Sequence, residues 1–132
     1  MINICDKWIG QFDFKLMVDM LKDDFSLTYD MCKKNGYFLI FSWMIFTRLY
    51  YNENNKIIGI AIFDTRTPKH FHIYSFEIKK NYQLKGHGTK FIKTFIDNCK
   101  EVTLSSLPES KIFYQKIGFD EREENQMVYR RD

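Results

Sequence analysis

Seven residues, Gln83-Leu84-Lys85-Gly86-His87-Gly88-Thr89, carry the clearest chemical signal in this chain. They set two glycines one residue apart, beside a lysine, where a strand gives way to a helix. The first backbone N–H groups of a helix have no partner inside it, and that end carries partial positive charge. Together with Lys85 they make a site for phosphate. A side chain at position 86 or 88 would hold an anion away from the backbone, which explains glycine at both. The spacing matches neither common nucleotide motif: it lacks the Gly-Lys-Ser/Thr ending of a P-loop and the third glycine of a dinucleotide fingerprint.

The loop needs a strand before it and a helix after it, and the flanking residues supply both. Phe71-His72-Ile73-Tyr74-Ser75-Phe76-Glu77-Ile78 is rich in aromatic and β-branched residues and reads as a strand. Phe91, Ile92, Phe95, Ile96 and Cys99 recur at helical spacing, with Lys90, Lys93 and Lys100 on the other side. Val102 to Ser105 is a short strand, parallel to 71–78 because a helix joins them. Pro108 suits the first turn of another helix and Gly118 its end. The stretches 119–123 and 126–130 close the chain as a hairpin.

Further upstream, Phe14, Met17, Val18 and Leu21 mark an amphipathic helix entered at Asp13. A short helix over 27–34 ends at Asn35-Gly36. Tyr37 to Tyr51 reads mostly as strand, and Phe38 to Phe46 as a buried segment or a subunit interface. Ile57 to Phe63 is a nearly continuous apolar run suited to a central strand covered on both faces. Thr65-Arg66-Thr67-Pro68 is expected to turn. The whole predicts an α/β fold with a mixed central sheet and helices on both faces.

With 132 residues, the chain is expected to form a single domain, 1–132, with one core. Cys5, Cys32 and Cys99 are odd in number and far apart, so no zinc or redox site is expected and a reducing, cytoplasmic setting is the simplest. No signal peptide is expected, and the longest apolar stretch is too short to span a bilayer. Aromatics reach 17% while Ala61 is the only alanine; Phe, Tyr, Ile, Asn and Lys are all favoured by AT-rich coding. A net charge of +3 with both signs interspersed lacks the basic stripe of a nucleic-acid binder.

A second segment, Ser110-Lys111-Ile112-Phe113-Tyr114-Gln115-Lys116-Ile117-Gly118-Phe119, lies about 25 residues beyond the glycines. With it the chain resembles the GNAT superfamily of acyl-CoA-dependent N-acyltransferases. The family's Gln/Arg-x-x-Gly-x-Gly/Ala loop matches Gln83, Gly86 and Gly88. Its Phe-Tyr-x-x-x-Gly-Phe segment matches Phe113, Tyr114, Gly118 and Phe119. The resemblance runs from about Ile57 to Arg131.

The resemblance implies acetyl-CoA as acyl donor and no metal. The diphosphate would rest on the amides of Leu84, Lys85, Gly86, His87, Gly88 and Thr89. The pantetheine arm would lie between strands 71–78 and 102–105, which splay apart, and would pair with the backbone of Phe76, Glu77 and Ile78. Tyr114 matches the general acid that protonates or hydrogen-bonds the departing sulfur. Counting back from Ile78 to the place of the family's glutamate base lands on His72, whose ordinary pKa near 6.5 suits proton removal. Strand alternation puts Glu77, a second candidate base, on the opposite face from His72. His87 is expected to face solvent or a phosphate, with no part in catalysis.

Three departures stand out. Leu107-Pro108 replaces an asparagine common about seven residues before the tyrosine. The N-terminal half matches no subfamily. The chain is also short, so the acceptor cleft is either open or completed by a second subunit; monomer and homodimer both remain open. The expected reaction is acetyl transfer to a primary amine by direct attack in a ternary complex. The acceptor would be a small amine, a protein amine or an aminoacyl-tRNA, with Asp23, Asp24 and Asp30 mildly favouring a cation. The alternative is a non-catalytic acyl-CoA-binding sensor or protein-interaction module on the same fold. Neither membrane nor other nucleic-acid binding is expected.

Overall fold

The computed structural model describes residues 3–8, 14–34 and 45–131. Asp13, Asn35-Gly36 and most of the Phe38–Phe46 run lie outside them. Among the described residues seven strands form one sheet: β1 (Asn3–Trp8), β2 (Ile45–Tyr51), β3 (Ile57–Thr67), β4 (His70–Ile78), β5 (Glu101–Ser105), β6 (Asp120–Glu123) and β7 (Gln126–Arg130). Their order is β1-β2-β3-β4-β5-β7-β6. Every neighbouring pair is antiparallel except β4 and β5, which run parallel because the helix α3 (His87–Ile96) connects them. The other helices are α1 (Phe14–Asp24), α2 (Ser26–Lys34) and α4 (Lys111–Ile117). None of the described helices is long and apolar enough to cross a membrane.

Each face of the sheet has its own core. On one side, Phe91, Ile92, Phe95 and Ile96 of α3 and Tyr114 of α4 meet Ala61, Phe63, Ile73, Ile78, Val102 and Leu104. On the other, Met17 and Leu21 of α1, Phe25 and Cys32 meet Ile45, Leu49, Ile60 and Ile62. The central strand β3 feeds both cores, as its unbroken apolar run requires.

The structure departs from the sequence expectations in four places. Strand β1 was not foreseen; its six residues are mostly exposed and carry no alternating pattern. Strand β3 continues through Thr65 and Arg66 to Thr67 rather than turning there, and the turn falls at Pro68-Lys69. Helix α3 ends at Ile96, so Cys99 reaches the core from the segment after it. In α4 the buried side chain is Tyr114, while Ile112, expected from sequence to supply the buried face with Phe113 and Ile117, is 65% exposed.

A buried cation ties the N-terminal edge to this framework. The Arg48 guanidinium, on the α3 face of β2, donates to both carboxylate oxygens of Asp6 at 2.6 and 2.9 Å. It also donates to the Thr94 carbonyl at 3.0 Å and stacks over the Phe95 ring at 4.2 Å. One planar donor fork therefore joins β1, β2 and α3.

Candidate functional site

Pairing between β4 and β5 covers only His70–Ile73 against Glu101–Leu104. Among the described residues, the pairing of β4 with β5 stops at Ile73 and Leu104 although β4 runs on to Ile78, which leaves a fork between the two strands. Strand β5 instead continues its pairing with β7 as far as Ser105. The upper part of β4, Phe76 to Ile78, stays paired with β3 on its other edge.

The glycine loop sits above the fork. Its shape is set by two residues with positive φ, Leu84 at 63° and Gly86 at 83°. The Gln83 side-chain amide donates to the Ile78 carbonyl at 2.9 Å, which fixes the loop to the end of β4. The first bond entering α3 runs from Lys90 N–H to the Gly86 carbonyl. The N–H groups of His87, Gly88 and Thr89 thus find no backbone acceptor among the described residues. Lys85 is exposed, its ammonium 5.8 Å from the centre of the Tyr82 ring.

The two glycines differ in purpose. A Cβ on Gly86 would meet nothing within 4 Å, so the approach to the backbone is open there. A Cβ on Gly88 would stand 3.3 Å from the Phe113 ring. Gly88 therefore lets α3 pack tightly against α4, a role distinct from the anion access expected from sequence. His87 also departs from expectation. It turns away from the loop, its Nδ1 within 2.8 Å of the Tyr50 hydroxyl and its ring edge-on to Tyr50 and Tyr82.

Tyr114 stands on the α3 face of the sheet, its ring edge-on to Phe76 and Phe119. Burial pushes its phenol above the ordinary tyrosine value. The hydroxyl makes no hydrogen bond to any described residue, so the structure assigns it no packing or capping duty.

The opposite face of the fork holds a polar row. His72 Nδ1 lies 2.7 Å from the Thr103 hydroxyl, its register partner on β5. The His72 ring meets Tyr74 edge-on at 4.7 Å, and the Tyr74 hydroxyl donates to Asp64. Asp64 is 5% exposed. Sequence reading missed it because its position was taken for the approach to a turn. Its alternation with Ile60 and Ile62 was the available signal, since those side chains face the same core.

Glu77 lies on this same face, against the alternation expected from sequence. Ile62 pairs with Ser75 and Phe63 with Ile73, so Tyr74 is an extra residue, a β-bulge. The bulge shifts the phase of β4. Phe71, Ile73, Phe76 and Ile78 face α3, whereas His72, Tyr74, Ser75 and Glu77 face α1 and α2. The Glu77 carboxylate is committed there, accepting from Thr28 N–H and hydroxyl at 2.8 Å each and from Leu27 N–H at 3.3 Å. A carboxylate at a helix start is well placed electrostatically, and these bonds make it an anchor for α2. Among the loose acids noted in sequence, Asp24 pairs with Lys79 at 3.4 Å.

A cleft of about 880 Å³ opens on the flank of α3 that faces β1 and β2, lined in part by Tyr50, Tyr82, His87 and Lys90. Neither Tyr114 nor His72 lines it, so it is separate from the fork.

The family profile for the acetyltransferase (GNAT) domain matches residues 45–129. A search of curated protein sequences gives no match. Among solved structures, Tetrahymena GCN5 superposes with a TM-score of 0.74 at 18% identity, over 98% of this chain and 95% of that one. A GNAT family N-acetyltransferase from Escherichia coli in complex with CoA gives 0.60 at 13% identity, over 98% and 81% of the two chains. A GNAT family acetyltransferase from Elizabethkingia anophelis with acetyl-CoA bound gives 0.60 at 18% identity, over 92% and 78%.

Proposed function

The chain belongs to the GNAT acetyltransferase family, and on that premise we propose that it transfers an acetyl group from acetyl-CoA to a primary amine by direct attack in a ternary complex. The observation that carries this reading is the fork beyond Ile73 and Leu104, with unpaired amides of α3 above it. The diphosphate rests on the backbone from Leu84 to Thr89, and Lys85 adds charge. The pantetheine arm follows the open edge of β4 at Phe76, Glu77 and Ile78, using their backbone alone. This is compatible with the Glu77 side chain being occupied by Thr28. Gln83 serves by holding the loop to β4.

Tyr114 and His72 stand on opposite faces of the sheet, so cofactor and acceptor approach from opposite sides and meet through the fork. An alkylammonium acceptor is almost wholly protonated at neutral pH. His72 removes that proton as general base. The freed nitrogen attacks the thioester carbonyl, the carbon–sulfur bond breaks, and the Tyr114 phenol donates to the departing sulfur. The nitrogen's surplus proton restores the phenol. The balance is one acetamide, one CoA thiol and one proton released to solvent. A thiol, a hydroxyl or a metal is not needed as an intermediate acyl carrier.

Two measurements test the reading. Acetyl-CoA at 100 times its Kd should stabilise the protein by about 2.7 kcal/mol, seen as a raised melting temperature. Thiol release with a panel of small amines and lysine peptides should then reveal turnover. A thermal shift with no thiol release for any amine would favour the acyl-CoA-binding module, for which the exposed Leu107 in place of a polar residue is the supporting feature. No shift at all would refute both.

A further inference from the structure

Asp64 and His72 are register partners across β3 and β4, and both face α1 and α2. Side chains directly opposite each other in an antiparallel pair have Cβ atoms about 5 Å apart. A buried carboxylate at that range favours the charged form of an imidazole, the more so where water is excluded. We propose that Asp64 is a positioning residue that sets the proton affinity of His72, working with Tyr74 as the intervening group. This rests on His72 being the base proposed above.

Three features make the arrangement specific. Asp64 is nearly inaccessible, so its charge is poorly screened. The Tyr74 hydroxyl binds the carboxylate while its ring takes the edge of His72, which fixes both partners. The Thr103 hydroxyl holds His72 Nδ1 from the other side. Asp64, His72 and Tyr74 each make further contacts besides these. Two other carboxylates on this face of the sheet have partners of their own. Glu101 is paired with Arg130 at 2.6 Å, and Glu77 with Thr28. His70, two residues before His72, has its Nδ1 against the Pro68 carbonyl.

The device has a clear use. An imidazole that takes a proton from an ammonium must give it up again before the next turnover. A carboxylate opposite raises its affinity for that proton, the direction a base facing an ammonium needs.

The test follows the His72 imidazole by NMR titration in the apo protein, for wild type, Asp64→Asn and Tyr74→Phe. Asp64→Asn keeps the shape and still accepts from Tyr74, and should weaken the proton affinity of His72 roughly tenfold. Tyr74→Phe strips a donor from the carboxylate and should move it the opposite way. An unchanged midpoint in folded Asp64→Asn overturns the proposal. If that variant does not fold, a Tyr74→Phe midpoint that stays put or falls does so instead. In parallel, the pH dependence of kcat/KM is recorded with acetyl-CoA and an Nα-blocked lysine amide. A His72 midpoint that shifts while the acid limb of activity does not would retain the coupling and refute His72 as the base.

Discussion

The Glu77 carboxylate accepts both the backbone N–H and the hydroxyl of Thr28, each at 2.8 Å, so the strand that borders the fork also holds the start of α2. Removing that carboxylate leaves the buried Thr28 N–H without its acceptor and the Thr28 hydroxyl with Ser75 Oγ alone. Glu77→Ala is expected to cost about 2–3 kcal/mol in urea unfolding. Glu77→Gln, which keeps one acceptor oxygen, should cost less and leave turnover within a few-fold of wild type. A collapse of turnover in well-folded Glu77→Gln would show that the carboxylate takes part in the chemistry.

Tyr114→Phe should keep the acetyl-CoA thermal shift and lower kcat by roughly 10²–10⁴. The variant removes a hydroxyl with no bond to described residues, so its melting temperature without cofactor should change little. Loss of both binding and turnover would make Tyr114 a packing residue. Burial raises this phenol above its ordinary value, so it stays protonated where an unfolded tyrosine, near about 10, would ionise. Its contribution to stability is complete below that pH and falls as pH rises beyond it.

Gly86 permits a comparison that separates charge from backbone strain. Both Gly86→Asn and Gly86→Asp place a side chain at φ 83°, which asparagine and aspartate tolerate about equally. Only the aspartate also repels a diphosphate. Gly86→Asp should abolish the acetyl-CoA thermal shift, while Gly86→Asn should weaken it. Equal behaviour of the two would mean that no phosphate rests on this backbone.

Cys32 gives a pH signature on the α2 side. Burial pushes its thiol up to about 11, whereas an unfolded cysteine ionises near about 8.5. Between these values the unfolded chain has lost the proton and the folded chain keeps it, so stability falls as pH rises. Cys32→Ser, followed by urea unfolding from pH 8 to 11, should flatten that fall. In native protein a thiol reagent should modify Cys5 well before the buried Cys32 and Cys99.

Arg48→Ala should cost about 3 kcal/mol, since it strands the Asp6 carboxylate and the Thr94 carbonyl and empties a stacked site over Phe95. Calorimetric melting measures the loss. A change below about 0.5 kcal/mol, the scale of an ordinary surface substitution, would show that β1 is held by other contacts.

Much of the candidate site around the glycine loop was legible because its signals are local. The 87–96 helix has a strong apolar period, and the loop before it is a short run of unusual residues. The order of strand, loop, helix and strand then forces a parallel pair. The face under α1 and α2 was not legible in the same way. Asp64 lies on a different strand from His72 and Tyr74 and meets them only through register, which a single sequence does not state. The bulge at Tyr74 changes phase without any glycine or proline to announce it. Arg48 lies inside an apolar strand, where its partners Asp6 and Thr94 are more than forty positions away. Strand β1 is held by pairing with β2, and its own residues carry little preference for that state.

The supernumerary Tyr74 carries an evolutionary corollary. Loss of its single codon would bring Ile73 and Ser75 side by side opposite Phe63 and Ile62, so the flanking side chains would keep their faces and the strand would close into regular alternation. What would go is the phenol that touches both Asp64 and His72. Descendants of this gene can therefore be expected to survive that deletion as folded proteins, without the group that bridges the pair.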